Sequence, residues 1–216
     1  MSICLAIHSY PKANDGLKRH WPYFKRAEAD ENIIITTTNG GCWVPDDARS
    51  VMIGADMYIS HTHLPLRLLR TYEHMLRHTK HDWLVVAEWD CIFFRAIPKN
   101  LPLGLTGNMA GGKLPGCRCN FFIHPIWACD RKTAELIVKT GKEIINDGIS
   151  DSSPDCHIGQ VVERANIPFN KDTLSYSRNT VDNPVWAEEA RQAVKNGALW
   201  VHGIKHADIL EAVIKP

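Results

Sequence analysis

The chain lacks an excess of charge of either sign: 25 Lys and Arg stand against 24 Asp and Glu, a formal net of +1. No global field therefore draws it onto nucleic acid or an anionic membrane, and only local basic patches could do so. It has no apolar run near the roughly 20 residues needed to cross a bilayer. The short apolar segment at Ile3–His8 has no basic stretch ahead of it, so it reads as a first strand and not as a signal peptide. The spacing of a structural zinc site is also missing. Cys117-Arg-Cys119 is the one close pair among seven cysteines, whereas such sites usually use two C-x2-C elements. An odd, scattered set, with Cys4, Cys91 and Cys129 in apolar runs, predicts reduced thiols in a cytoplasmic protein. Gly111-Gly-Lys113 lacks the G-x4-G-K-[ST] spacing of a phosphate loop and reads as a flexible loop. With no repeat, low-complexity run or linker, 216 residues predict a single domain with a sizeable core.

What is present is an alternation of strands and helices. Ile3–His8 reads as strand, and turn formers fill Ser9–Gly16. A helical pattern over Leu17–Ala29 places Trp21, Phe24 and Ala27 inward, with Pro22 expected in the first turn. The β-branched stretch Asn32–Thr38 is a second strand. His63–Lys80 is a helix beginning near Pro65, and it leads into Leu84–Ala87, a buried strand. That order is the signature of a mainly parallel sheet with crossover helices. Beyond a Pro- and Gly-rich stretch at 98–116, a strand is expected at Asn120–Ala128. Helices are expected from the Asp130 cap to about Ile145, from Asp155 to about Ala165, and over Val185–Asn196. Ala198–Val201 is the last strand candidate.

The strand at Leu84–Ala87 ends in Glu88-Trp89-Asp90. Residues i and i+2 of a strand point the same way, so the two acids are expected to project together at its carboxyl end. In an open α/β sheet that edge is where ligands bind. Two neighbouring carboxylates repel unless a cation joins them, and Mg²⁺ or Mn²⁺ typically takes one or two carboxylates plus substrate phosphates. The competing reading is two acids that face water. His202-Gly-Ile-Lys205 and Pro154-Asp155-Cys-His-Ile-Gly159 are two further elements of similar chemistry. By itself, Asp155 reads as an ordinary N-cap after Pro154 in preference to a catalytic base.

In these elements the sequence resembles glycosyltransferases of the GT-A fold, which use nucleotide-sugar donors. Glu88-Trp89-Asp90 is similar to their D-x-D motif, with Glu in place of the first Asp. His202 and Lys205 resemble the late histidine and lysine that complete the metal and phosphate site. Asp155 resembles the catalytic base of inverting members, although Pro154 replaces the usual preceding acid. The resemblance implies a Rossmann-like, single-domain α/β fold with a mainly parallel central sheet flanked by helices. Residues 1–103 would form a donor half and 104–216 an acceptor half. It also implies Mn²⁺ or Mg²⁺ on Asp90, His202 and Glu88, and a UDP-sugar-like donor contacted by His8, Ser9, Tyr10, Arg67, Glu88 and Lys205. Helical arginines such as Arg67 and Arg70 more often lie on a solvated face, and His61 and His63 have no acid close in sequence.

The expected activity is transfer of a hexose to an acceptor hydroxyl by a cytoplasmic enzyme of bacterial or viral type. The acceptor is open among a glycan, a small molecule, a protein and a hydroxymethylated base in DNA. Lys113, Arg118, Arg131 and Lys132 are the candidate contacts for DNA. Two alternatives stand beside it: a nucleotidyltransferase or sugar-nucleotide pyrophosphorylase, and a non-catalytic module that binds nucleotide sugars.

Overall fold

The strand at Ile3–His8 (β1) is buried along its whole length and lies between two parallel neighbours, Glu31–Thr36 (β2) and Trp83–Glu88 (β4). In the computed structural model, which describes residues 1–36, 41–54, 64–109, 119, 122–150, 153–171, 175–177 and 184–215, these strands centre a seven-stranded sheet. The others are Arg49–Met52 (β3), Leu105–Met109 (β6), Phe122–Asp130 (β7) and Phe169–Lys171 (β8), in the order β3-β2-β1-β4-β7-β6-β8. β7 runs antiparallel to β4 and to β6, and the other pairs are parallel, so the sheet is mixed but mainly parallel.

Helices cover both faces, which is why β1 and β4 read as continuous apolar runs instead of alternating. Cys4, Ala6, Leu84 and Val86 face helices Leu64–His78 (α2), Arg131–Asn146 (α3) and Pro154–Arg164 (α4). Ile3, Leu5, Ile7, Val85 and Ala87 face the helix Asn14–Phe24 (α1). On that second face also lies a three-stranded sheet. It contains Ile92–Phe93 (β5), Ser175–Ser177 (β9) and Trp200–His202 (β10), with β10 in the middle. Helices Pro184–Lys195 (α5) and Ala207–Ile214 (α6) close over it through Ala187, Ala190, Ile209 and Val213.

Several local expectations are met. Asp130 caps α3 by accepting from Thr133 N at 3.0 Å, and Gly197, after α5, holds φ of 100° as a helix stop does. Three need correction. α1 begins at Asn14, so Pro22 sits near its end and not in its first turn. Pro22 has no N–H to offer the preceding turn, and two residues later the helix tightens into a 3₁₀ turn over Lys25–Ala27 that ends at Glu28 with φ of 51°. β3 and α6 had not been anticipated; both are short, four and eight residues, and short segments carry too few periods to declare themselves. Finally, not every cysteine is reduced. Cys4, Cys42, Cys91, Cys119 and Cys129 are thiols, but Cys156 is in a disulfide whose partner lies outside the described residues. Burial drives the Cys4 thiol up to about 12 and that of Cys91 well above its usual range, so these are inert core groups.

Candidate active site

The parallel register of β1 and β4 sets His8 directly beside Glu88. His8 continues the Cys4 and Ala6 face, and Glu88 continues the Leu84 and Val86 face, so both side chains emerge beneath the start of α2. There His8 Nδ1 lies 3.2 Å from Glu88 Oε1, and His8 Nε2 lies 2.9 Å from Thr71 Oγ1. The Thr71 hydroxyl donates to Arg67 O at 2.9 Å, leaving its lone pairs for the imidazole. Arg67 Nη2 donates to Glu88 Oε1 at 2.5 Å. Arg67 is only 6% exposed, contrary to the expectation of a solvated face. One turn separates it from Thr71, and both look inward over the strand ends.

Asp90 goes elsewhere. β4 ends at Glu88, and a turn follows in which Trp89 N donates to His8 O and Cys91 N to Glu88 O, each at 3.1 Å. Once the chain leaves the pleat, i and i+2 no longer point the same way. The two acids therefore part: Glu88 is held by Arg67 and His8, while Asp90 turns toward the small sheet. Glu88 is thus paired with Arg67 and His8, and Asp90 with His202 and Lys205.

β5 and β10 pair antiparallel, Phe93 opposite Trp200 and Ile92 opposite Val201. Continuing that register brings the residues after β10 alongside Asp90, and Ile204 N donates to Asp90 O at 3.3 Å. His202 Nε2 lies 3.4 Å from Asp90 Oδ1, and Lys205 Nζ lies 4.0 Å from Oδ2. Asp90 is 4% exposed. His202 Nδ1 is buried and has no hydrogen-bond partner among the described residues. Residues 112 and 115 positions apart in sequence thus converge on one carboxylate.

Tyr10 feels the charge of both acids. Its ring meets Trp89 edge-on at 6.2 Å. Burial raises its phenol, a hydrogen bond with Trp89 opposes this, and the charges of Asp90 and Glu88 add to the rise. Ser9 is fully buried, with its amide on Ile35 O at 2.9 Å and its hydroxyl unpartnered among the described residues.

Sequence reasoning missed the support for this turn. The His20 ring stacks on Trp89, 7° from parallel with centroids 6.0 Å apart, and His20 Nδ1 donates to Trp89 O at 3.0 Å. Burial lowers the His20 pKa, against the opposing pull of that hydrogen bond. Gly16 lies flat against the indole: a Cβ there would fall 2.6 Å from Trp89 Cε3. The available signal was Gly16 and His20 standing one turn apart in α1, but nothing in the sequence named Trp89 as their partner.

Asp155 occupies the first turn of α4, half-buried, after the N-cap Ser153. Cys119 Sγ, just ahead of β7, donates to Cys156 O at 3.0 Å. This places the start of α4 at the sheet edge where β7 begins and β4 ends. No contact among the described residues joins Asp155 to Asp90 or His202. Arg131, half-buried, donates to Leu76 O at 2.6 Å and Thr79 O at 3.1 Å, closing the end of α2. Arg70 Nη1 donates to Ile53 O at 3.1 Å. His61, His63, the Gly111–Lys113 loop and Arg118 lie outside the described residues.

Among the described residues, no three or more His, Cys, Asp or Glu side chains gather as a metal site. Asp90 and His202 would supply two donors, a hard oxygen and an imidazole. A divalent cation that completes its shell with water and diphosphate oxygens accepts such a pair. A ligating histidine usually donates from its second nitrogen to an outer partner, and His202 Nδ1 has none among the described residues. No helix of the described residues is long and apolar enough to span a membrane. No protein-family model matches the chain, and no curated protein matches it in sequence.

Proposed function

We propose that the chain is a metal-dependent glycosyltransferase of GT-A type that moves a sugar from a nucleoside diphosphate to an acceptor hydroxyl. The observation that carries this is the meeting of Asp90, His202 and Lys205 at the carboxyl end of β4. Asp90 and His202 would hold Mn²⁺ or Mg²⁺, which when bound neutralises charge building on the departing diphosphate. Lys205 adds a point charge for a phosphate oxygen. Arg67 and His8 hold Glu88, which would face the donor, and Ser9 and Tyr10 would border it. In the transfer the acceptor oxygen bonds to the anomeric carbon, the bond from that carbon to phosphate breaks, and the hydroxyl proton passes to a base. Asp155 is the base we assign, at the same sheet edge.

The test is turnover of UDP-sugars with Mn²⁺, with and without acceptor. Asp90→Asn and His202→Ala should lose metal-dependent nucleotide binding and donor turnover while keeping the native circular dichroism. Asp155→Asn should keep donor binding and lose transfer. Full donor turnover in folded Asp90→Asn would overturn the proposal. Consumption of a nucleoside triphosphate with release of pyrophosphate would point instead to a nucleotidyltransferase. A nucleotide sugar that binds but is neither hydrolysed nor transferred would mark a binding module.

A further inference from the structure

At the other end of β5 from Asp90, on the order of 10 Å along the strand, the carboxyl ends of three helices converge. A cleft of about 340 Å³ opens there, lined by Tyr23 in the last turn of α1 and Arg26 after it, by Phe94 after β5, by Arg191 and Lys195 of α5, and by Lys215 after α6. The chain's formal charge is +1, so four cations around one small cleft are a local concentration that the whole-chain balance conceals. Arg26, Lys195 and Lys215 are exposed and have no ion-pair partner among the described residues. Arg191 alone is paired, with Glu188 at 2.6 Å. Arg26 Cζ lies over the Tyr23 ring, 4.6 Å from its centroid, and half-buried Phe94 contributes an aromatic wall.

Cations near helix carboxyl ends also offset the helix dipole, and that accounts for one charge per helix at about 0.3–1 kcal/mol each. It does not account for Arg191, which precedes the last turn of α5, or for the convergence of all four on a cleft walled by aromatic rings. A volume of about 340 Å³ falls at the lower end of small-ligand pockets. We propose that this cleft binds a phosphate ester, its anion held by Arg191, Lys195 and Lys215 and its flat or apolar part resting on Phe94. The ester comes either from a free small molecule or from a nucleotide unit of a strand. The site is separate from the Asp90 centre, and the assignment does not depend on glycosyl transfer.

The full chain is titrated calorimetrically with phenyl phosphate and with inorganic phosphate, and by fluorescence anisotropy with a labelled oligodeoxythymidylate, at low and moderate salt. Phenyl phosphate binding more tightly than inorganic phosphate supports a small ester. Saturable oligonucleotide binding supports a strand, with affinity falling as salt rises. In either case the double variant R191Q/K195Q should weaken binding at least about tenfold, and Lys215→Glu, at an exposed helix end, should do the same without touching the core. Both variants should keep the native circular dichroism and unchanged donor turnover. Saturable binding that the variants leave intact, or no saturable binding of any probe, overturns the assignment. Neither result bears on Asp90→Asn, so the two proposals fail separately.

Discussion

Replacing Gly16 by Ala sets two effects of opposite sign against each other. Gly16 is the third residue of α1 and shows no left-handed backbone, so helix propensity alone should stabilise the variant by about 1 kcal/mol. Against that, the new methyl would lie 2.6 Å from Trp89 Cε3 and closer still to Cζ3, where carbon contacts normally sit near 3.5–4.0 Å. The indole cannot simply step aside, because His20 stacks on it and Tyr10 meets it edge-on. Forcing extra atoms into such a contact costs about 1–3 kcal/mol. The expected net is a loss of about 1 kcal/mol, or about 2–4 °C in the melting midpoint of a domain this size. Since Asp90 follows Trp89 directly, nucleotide and Mn²⁺ affinity should fall as well. Thermal and urea unfolding give the first number, and Mn²⁺-dependent UDP titration gives the second. The pair Gly16→Ala with Trp89→Ala closes a double-mutant cycle, in which Gly16→Ala should turn stabilising once the indole is gone. A single variant that melts 2–4 °C above the wild type would show that Trp89 is not wedged against α1 and that the turn carrying Asp90 is held in some other way.

Glu88→Gln removes the charge facing Arg67, which is only 6% exposed, and should cost about 3 kcal/mol in urea unfolding; an unchanged midpoint would mean that Glu88 is merely a solvated acid. Asp130→Ala deletes the α3 cap and an acceptor for Gly104 N at 2.9 Å, and should cost about 1–2 kcal/mol. Burial raises the Asp130 pKa, but the hydrogen bonds from Gly104 and Thr133 outweigh it and leave the carboxyl below its ordinary value. Its contribution is therefore full above the unfolded pKa of about 3.9 and lost as pH falls through the folded one; the Ala variant should show a shallower acid decline in the same melts. If the Mn²⁺ assignment holds, EDTA should abolish donor turnover and Mn²⁺ should restore it in the wild type but not in His202→Ala.

Much of the fold was legible because it follows from local periodicity. Ile3–His8, Glu31–Thr36 and Trp83–Glu88 are apolar on both faces, and only a strand covered on both sides buries such runs. The α2 and α3 helices announce themselves by length and amphipathic spacing, and Asp130 by its capping position. Short pieces such as β3 and α6 escaped because one or two periods do not distinguish helix, strand and loop. Pro22 was misplaced because α1 begins at Asn14, within the stretch of turn formers, three residues before the apolar spacing suggests a start.

For the candidate site, sequence alone singled out Asp90, His202 and Lys205 as chemistry-bearing groups next to strand ends. Their types and positions along the chain are local facts. Only the tertiary structure decided that β10 pairs with β5, so that residues more than a hundred positions apart approach within 3.4 Å. It also decided that a turn after Glu88 sends the two acids to different partners, Arg67 and His8 for one, His202 and Lys205 for the other. Side-chain direction obeys a simple alternation while the chain stays in the pleat. Beyond the last ladder hydrogen bond it is set by packing against α1 and the small sheet, and no spacing rule along the sequence contains that information.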